Sequence, residues 1–271
     1  MTGAPSRDIP RIRTRHLLDF KKQGQRFSML TSYDQFSAQI FERAGIEMLL
    51  VGDSCGTTVL GHSSTVHTRH EDILLFTSAV TRAVKRPLVV ADLAFGTYQT
   101  GTRDAMKHAV ELMQAGAHAV KLEGGHQVIE QVKALVEAGI PVVGHLGFTP
   151  QSEHALGGFT VQGRDGADAD KMADDALALQ EAGVFALVLE MVPADLAARI
   201  TEVLHIPTIG IGAGPKCDGQ VLVWQDMAGL SDFNGRFVRR FAQLGAELER
   251  AASEYHREVA EGTFPSEKES F

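Results

Sequence analysis

Short apolar runs along this chain alternate with longer stretches whose apolar residues recur every three or four positions. The hinge between the two is a repeated Ala-Gly, as in ERAGIEMLLVGD, MQAGAHAVKLEGG, VEAGIPVVGHLG and QEAGVFALVLEMV. Glycine adopts the left-handed conformation that closes a helix without steric cost, so Gly45, Gly116, Gly139 and Gly183 are expected just past helix C-termini. The run after each is rich in Val, Leu and Ile at successive positions, as a strand covered on both faces should be. The unit is therefore helix, glycine, buried strand, loop, helix, which is the alternation of a parallel sheet.

The pattern predicts eight strands, near 27–31, 48–53, 88–93, 119–123, 141–147, 186–192, 208–212 and 221–225. Helices are expected between them, for instance over 34–44, 103–115, 126–137 and 171–182. Eight such units in 271 residues predict a single-domain (βα)8 TIM barrel over 1–271. The competing fold is a doubly wound open sheet. Its glycine-rich fingerprint should follow the first strand, whereas GIGAG at 210–214 follows the seventh. No stretch reads as a linker between domains. The polar segment 162–170 is expected as a loop after the fifth strand, 1–12 as a polar N-terminal arm and 262–271 as a tail.

Composition narrows the function. A net charge of -8 argues against a nucleic-acid binder, and no apolar run is long enough to span a bilayer. Two cysteines, Cys55 and Cys217, exclude a disulfide framework and a cysteine zinc site, which fits a reducing cytoplasmic setting. Arg7, Arg11, Arg13 and Arg15 read as a solvated arm rather than a targeting segment.

The ends of the predicted strands carry the chemistry. The second ends in Asp53-Ser54, the third in Asp92, the fourth in Lys121 and Glu123, while the fifth carries His145 and the sixth Glu190. In a barrel these ends ring one mouth. One aspartate there is explained as a helix cap, but carboxylates on successive strands are not. Clustered carboxylates repel unless a cation lies between them, and oxygen ligands suit a hard cation such as Mg²⁺. Asp53 and Asp92 are the expected ligand pair, with Glu123 acting through water. Lys121 shares a strand face with Glu123 and suits an anionic substrate group, with a Schiff base or a structural ion pair as alternatives. Glu190, in an apolar run, is the expected base; the competing role is a cap for a helix starting near Pro193. His145 lies between two glycines that leave room for a ligand beside the ring, or else it is a core histidine. His62, His67 and His70 sit in a polar loop without a strand anchor, which makes a weak zinc signature.

The strings TSYD, MLLVGDSCGTTVLGH, ADLAFGTYQT, AVKLEGG, VVGHLGFTPQS, GGFTVQG, LVLEMVP, IPTIGIGAG and DGQVLVWQDMAG run in order from about Arg13 to Pro265. In them the chain resembles the ketopantoate hydroxymethyltransferase family. The resemblance implies a (βα)8 barrel assembled as a homodecamer and dependent on Mg²⁺. It implies transfer of a one-carbon unit from 5,10-methylenetetrahydrofolate to 3-methyl-2-oxobutanoate, giving ketopantoate on the route to pantothenate and coenzyme A. By matching motif, Asp53 and Asp92 would hold the metal with Glu123 in its outer environment. Ser54, Lys121 and His145 would join the two aspartates around the oxo acid, and Glu190 would be the base. The chain departs from the family in having STVHTR for STLPVT, Phe76 for a frequent histidine and Ala94 for the proline of DLPF. These departures spare the charged cluster and bear on the loops after strands two and three and on subunit contacts. The other readings are a metal-dependent pyruvate-type aldolase or lyase that uses no folate, and a non-catalytic binding barrel. The intact set of charged strand ends argues against the latter.

Overall fold

The computed structural model describes residues 10–271; Arg7 and most of the expected arm at 1–12 lie outside the described residues. Eight parallel strands close in sequence order into a barrel. They are β1 (Phe27–Thr31), β2 (Met48–Val51), β3 (Leu88–Asp92), β4 (Ala119–Lys121), β5 (Val142–Gly147), β6 (Ala186–Glu190), β7 (Thr208–Ile211) and β8 (Gly219–Leu222). The helices are α1 (Thr14–Lys22), α2 (Gln35–Ala44), α3 (Cys55–Thr58), α4 (His70–Ala83), α5 (Thr102–Gln114), α6 (Ile129–Glu137), α7 (Gly166–Glu181), α8 (Ala194–Val203), α9 (Trp224–Ala228) and α10 (Leu244–Glu261). The expected (βα)8 barrel is therefore the fold of this chain. One compact unit runs to Leu222 and holds the whole barrel; a second, Val223–Phe271, carries α9 and α10.

The apolar runs become strands because both of their faces are covered. Every residue of β2, β3, β4 and β7 is buried. Full burial of one Val or Leu side chain contributes about 1.5–3 kcal/mol. The Ala-Gly repeat closes α2, α5, α6 and α7 as expected, with φ of 93° at Gly45, 103° at Gly116, 83° at Gly139 and 100° at Gly183. After each glycine the next N–H reaches back to a helix carbonyl, Ile46 to Phe41, Ala117 to Leu112, Ile140 to Leu135 and Val184 to Leu179. That bond satisfies a carbonyl the helix leaves open and turns the chain into the next strand.

Two expectations need correction. The eighth strand is Gly219–Leu222 rather than 221–225, and Trp224–Ala228 is helical. Gly219 pairs with both Phe27 and Ile209, and a Cβ there would come 2.5 Å from the Phe27 ring. The strand thus begins on a glycine and a glutamine, which carry no apolar signal. The polar segment 162–170 is half helix, because the Asp165 side chain accepts the Asp168 N–H and starts α7 at Gly166. Its polar residues form the solvent side of the first turns.

The closing glycines differ in their surroundings. A Cβ at Gly183 would stand 2.8 Å from Val136 Cγ1, whereas one at Gly139 would meet nothing within 4 Å. Gly139→Ala is expected to cost about 1 kcal/mol from left-handed strain alone, and Gly183→Ala at least about 2 kcal/mol. Thermal melts read these as drops of about 3 °C and at least about 6 °C. Equal drops would mean that Val136 yields freely.

Candidate active site

The barrel mouth gathers the charged strand ends. Asp92 and Lys121 close β3 and β4 and stand opposite each other in register, and Glu190 closes β6 opposite Gly147 of β5. Asp53 and Glu123 lie two residues beyond the ends of β2 and β4. All of these except Glu190 are buried, as is His145.

The contacts run in a chain. Lys121 Nζ lies 3.0 Å from Asp92 Oδ1 and 3.5 Å from His145 Nδ1. Asp92 Oδ2 accepts the Asp53 N–H at 2.9 Å. Gly52 makes that approach possible, since a Cβ there would stand 2.9 Å from Ser54 Oγ and 3.4 Å from Asp92 Oδ2. His145 Nδ1 lies 3.3 Å from Glu123 Oε1, and its Nε2 lies 3.3 Å from Glu190 Oε2. Ser54 Oγ sits 2.8 Å from Tyr33 Oη, a hydroxyl pair at the start of α3. The structure thus links Asp53, Asp92, Lys121, Glu123, His145 and Glu190 in one network and holds Ser54 beside it through the backbone.

Burial and charge act against each other here. Burial and the Lys121 ammonium would lower His145, but its contacts with Glu123 and Glu190 outweigh them and raise it to about 9. Burial would also lower Lys121, yet Asp92, Glu123 and Asp53 hold it above the usual lysine range. Burial, with repulsion from Asp92 and Glu123, pushes Asp53 up to about 8. Burial raises Asp92 too, against the pull of Lys121. Two cationic side chains therefore face four carboxylic groups. A divalent cation would balance that excess of acids, and the oxygen donors are of the kind Mg²⁺ takes. Among the described residues no group of three or more His, Cys, Asp or Glu side chains is placed to hold a metal ion by itself. Both Glu123 oxygens already face protein partners, Gln151 N–H at 3.0 Å and His145 at 3.3 Å, and so do both Asp92 oxygens, the Asp53 N–H at 2.9 Å and Lys121 at 3.0 Å. The residues present fit a cation held by Asp53 and Asp92, with the remaining positions open to water and substrate oxygen.

The competing structural roles fare differently. α8 is capped by Pro193, with no side-chain hydrogen bond to its cap, so Glu190 is not a helix cap. Nor does Glu190 sit in a purely apolar pocket, because the facing group is His145 from the neighbouring strand. His62, His67 and His70 do not converge. His62 and His67 stack edge-on at 6.0 Å, while His70 turns away to Glu111 at 2.7 Å and to the His108 ring at 4.6 Å. These histidines line an open cavity of about 1020 Å³.

Sequence reasoning missed three supports of the site. Gln151 donates to Asp53 Oδ2 at 2.9 Å, Tyr98 Oη lies 2.8 Å from Gln151 Oε1, and Tyr33 holds Ser54. All three sit outside the strands, and a lone amide or phenol in a loop has no periodicity to betray it. The departures from the family pattern also find places. Phe76 packs edge-on against Tyr33 at 6.0 Å, Ala94 is buried in a turn closed by Thr97, and Thr68 Oγ1 donates to the Asp53 carbonyl at 2.8 Å.

The sequence model for the family described as ketopantoate hydroxymethyltransferase matches residues 11–267. This chain belongs to that family. Proteins named 3-methyl-2-oxobutanoate hydroxymethyltransferase resemble it along nearly their whole length. That of Saccharopolyspora erythraea is 54% identical over 100% of this chain and 94% of its own. That of Leifsonia xyli subsp. xyli is 54% identical over 99% and 98%, and that of Thermobifida fusca 53% identical over 96% and 94%. The fold also resembles solved barrels of low identity. A phosphonopyruvate hydrolase crystallised with oxalate and Mg²⁺ superposes with a TM-score of 0.62 at 14% identity, covering 94% of this chain and 92% of its own. A 2,3-dimethylmalate lyase of the PEP mutase/isocitrate lyase superfamily gives 0.59 at 15%, covering 95% and 91%.

In this barrel, Lys121 is held as an ammonium by three acids. An ammonium has no lone pair with which to attack a carbonyl. Borohydride treatment in the presence of a 2-oxo acid is expected to leave the intact mass unchanged. A reduced adduct mapping to Lys121 would overturn this assignment.

Proposed function

We propose that the chain transfers a hydroxymethyl group from 5,10-methylenetetrahydrofolate to 3-methyl-2-oxobutanoate, giving ketopantoate and tetrahydrofolate. The reading rests on family membership together with one observation, the acid-rich network in which Lys121, Asp92, Asp53, His145 and Glu190 share a buried mouth. Asp53 and Asp92 would hold Mg²⁺, with Glu123 in its outer environment. When bound, Mg²⁺ supplies positive charge beside the keto oxygen as C3 becomes acidic.

The chain's own residues do the rest. Lys121 and Ser54 hold the anionic end of the oxo acid, where a fixed ammonium and a hydroxyl replace its water. His145 touches Glu190 through Oε2, which leaves the other carboxylate oxygen free to meet the C3 proton. Glu190 takes that proton, and the C3 electron pair forms a bond to the methylene carbon of the folate. One C–N bond of the donor breaks at that step, and water releases tetrahydrofolate from the adduct by breaking the second. C3 already carries two methyl groups, so the product carbon is quaternary and cannot enolise again.

Other features support assembly and location. Phe36 and Ile40 on α2 and Leu75 on α4 stand exposed, apolar surface of the kind that an oligomer covers. We propose a homo-oligomer, in the family's decameric form, acting in the cytoplasm. Cys55 and Cys217 are both free, as a reducing compartment requires. No helix among the described residues is long and apolar enough to cross a membrane.

Asp53→Ala and Asp92→Ala are each expected to lower Mg²⁺-dependent turnover by at least about 100-fold, with the far-UV circular dichroism of the parent. The assay pairs the oxo acid with the folate, and omitting the folate distinguishes this reaction from a lyase that needs none. Full activity in either variant at ordinary Mg²⁺ would remove the ligand pair. Glu190→Gln is expected to slow C3 hydrogen exchange of 3-methyl-2-oxobutanoate in D₂O by about 100- to 10,000-fold, a half-reaction that involves no folate. His145→Gln is the control and is expected to weaken substrate binding more than it slows exchange. Exchange at the parent rate in Glu190→Gln would mean that another group is the base.

A further inference from the structure

Gln151 sits in the one-turn helix Pro150–Ser152 that follows β5, and only 5% of it is exposed. It bridges two acids of the mouth. Its backbone N–H donates to Glu123 Oε2 at 3.0 Å, and its side-chain Nε2 donates to Asp53 Oδ2 at 2.9 Å. The same Nε2 donates to the Leu93 carbonyl at 2.9 Å. Its Oε1 accepts from Tyr98 Oη at 2.8 Å and from Gln99 Nε2 at 3.0 Å.

These partners leave the amide one orientation. A backbone carbonyl can only accept, so the group facing Leu93 must be the NH₂, and the same NH₂ then faces Asp53. On the other side, the Gln99 Oε1 accepts the Gly96 N–H at 2.8 Å, which turns the Gln99 NH₂ toward Gln151. Both ends of the Gln151 amide are thus fixed by groups of known polarity.

The consequence falls on Asp53. Its Oδ2 is occupied by Gln151, as Asp92 Oδ2 is occupied by the Asp53 N–H. Asp92 has its other oxygen at 3.0 Å from the Lys121 ammonium, whereas Asp53 keeps Oδ1 clear of that donor set. Gln151 turns Oδ2 toward the Leu93 side of the turn and leaves Oδ1 as the Asp53 oxygen presented to a cation. Mg²⁺ is small, demands near-octahedral geometry and keeps several waters, whereas Ca²⁺ takes six to eight oxygens and often both oxygens of one carboxylate. We propose that Gln151 is a positioning residue that fixes Asp53 as a one-oxygen ligand and so sets the preference of the site for a small octahedral cation over a larger one. The inference rests on the reading of Asp53 and Asp92 as cation ligands.

The test is isothermal titration calorimetry on protein stripped with EDTA, with MgCl₂ and CaCl₂ titrated separately. Gln151→Met removes the amide but keeps the length of the side chain and the backbone donor to Glu123. Gln151→Glu keeps the shape and replaces the donor facing Asp53 with an acceptor, which serves if the methionine variant folds poorly. In either variant the ratio of Mg²⁺ to Ca²⁺ affinity is expected to fall at least about tenfold from that of the parent. A residue with only a structural role would lower the melting temperature, or weaken both cations alike, and leave the ratio within about twofold; that result overturns the inference. Asp53→Ala separates the two levels. If it binds Mg²⁺ as the parent does, the ligand reading fails and takes the inference with it. If it loses Mg²⁺ while the Gln151 variants keep the parent ratio, the ligand reading stands and the inference alone falls.

Discussion

Lys121 brings a full positive charge to a place that water scarcely reaches, and Asp92 meets it at 3.0 Å. A buried ion pair of this kind costs several kcal/mol in lost hydration for each ion, and the cost is recovered only where further partners satisfy both ends. The barrel supplies them from successive strands. Asp92 takes an N–H from Asp53, while Lys121 and Glu123 both approach His145. Removing either Asp92 or Lys121 would leave the other's charge without its closest partner. The mouth thus presents carboxylate oxygens and an ammonium side by side, and the barrel strands on which they stand keep like charges close.

How far the sequence predicts this arrangement depends on where each residue sits in the chain. The strands and their closing glycines are legible because burial on both faces and a left-handed turn leave plain marks in the residue pattern. Asp92, Lys121 and Glu190 are legible for the same reason: each ends an apolar run, and a parallel barrel brings all such ends to one side. The start of β8 is not, because Gly219 is there to make room for the Phe27 ring and carries no hydrophobicity. Gln151, Tyr98 and Tyr33 escape because their partners are distant in sequence. The Gln151 side chain reaches 98 positions back to Asp53.

Glu190 shows a further limit of reading along one strand. Its sequence neighbours are apolar, which suggests a dry setting for the carboxylate. Side chains on a strand alternate between faces, so those neighbours do not share its surroundings. The adjacent strand decides instead, and β5 places His145 at 3.3 Å. The chemistry of a barrel residue is set sideways, by register, as much as by its own segment.

Thr68 lies in the very loop where this chain departs from its family, yet its hydroxyl is fastened to the main chain at Asp53. The tether is itself one of the departures, so here the loop's composition adds a fastening to the strand end instead of loosening it. Residues on either side of the tether can then vary without tilting the aspartate beneath them. The loop's outer surface is thereby kept mechanically separate from the strand end that it covers.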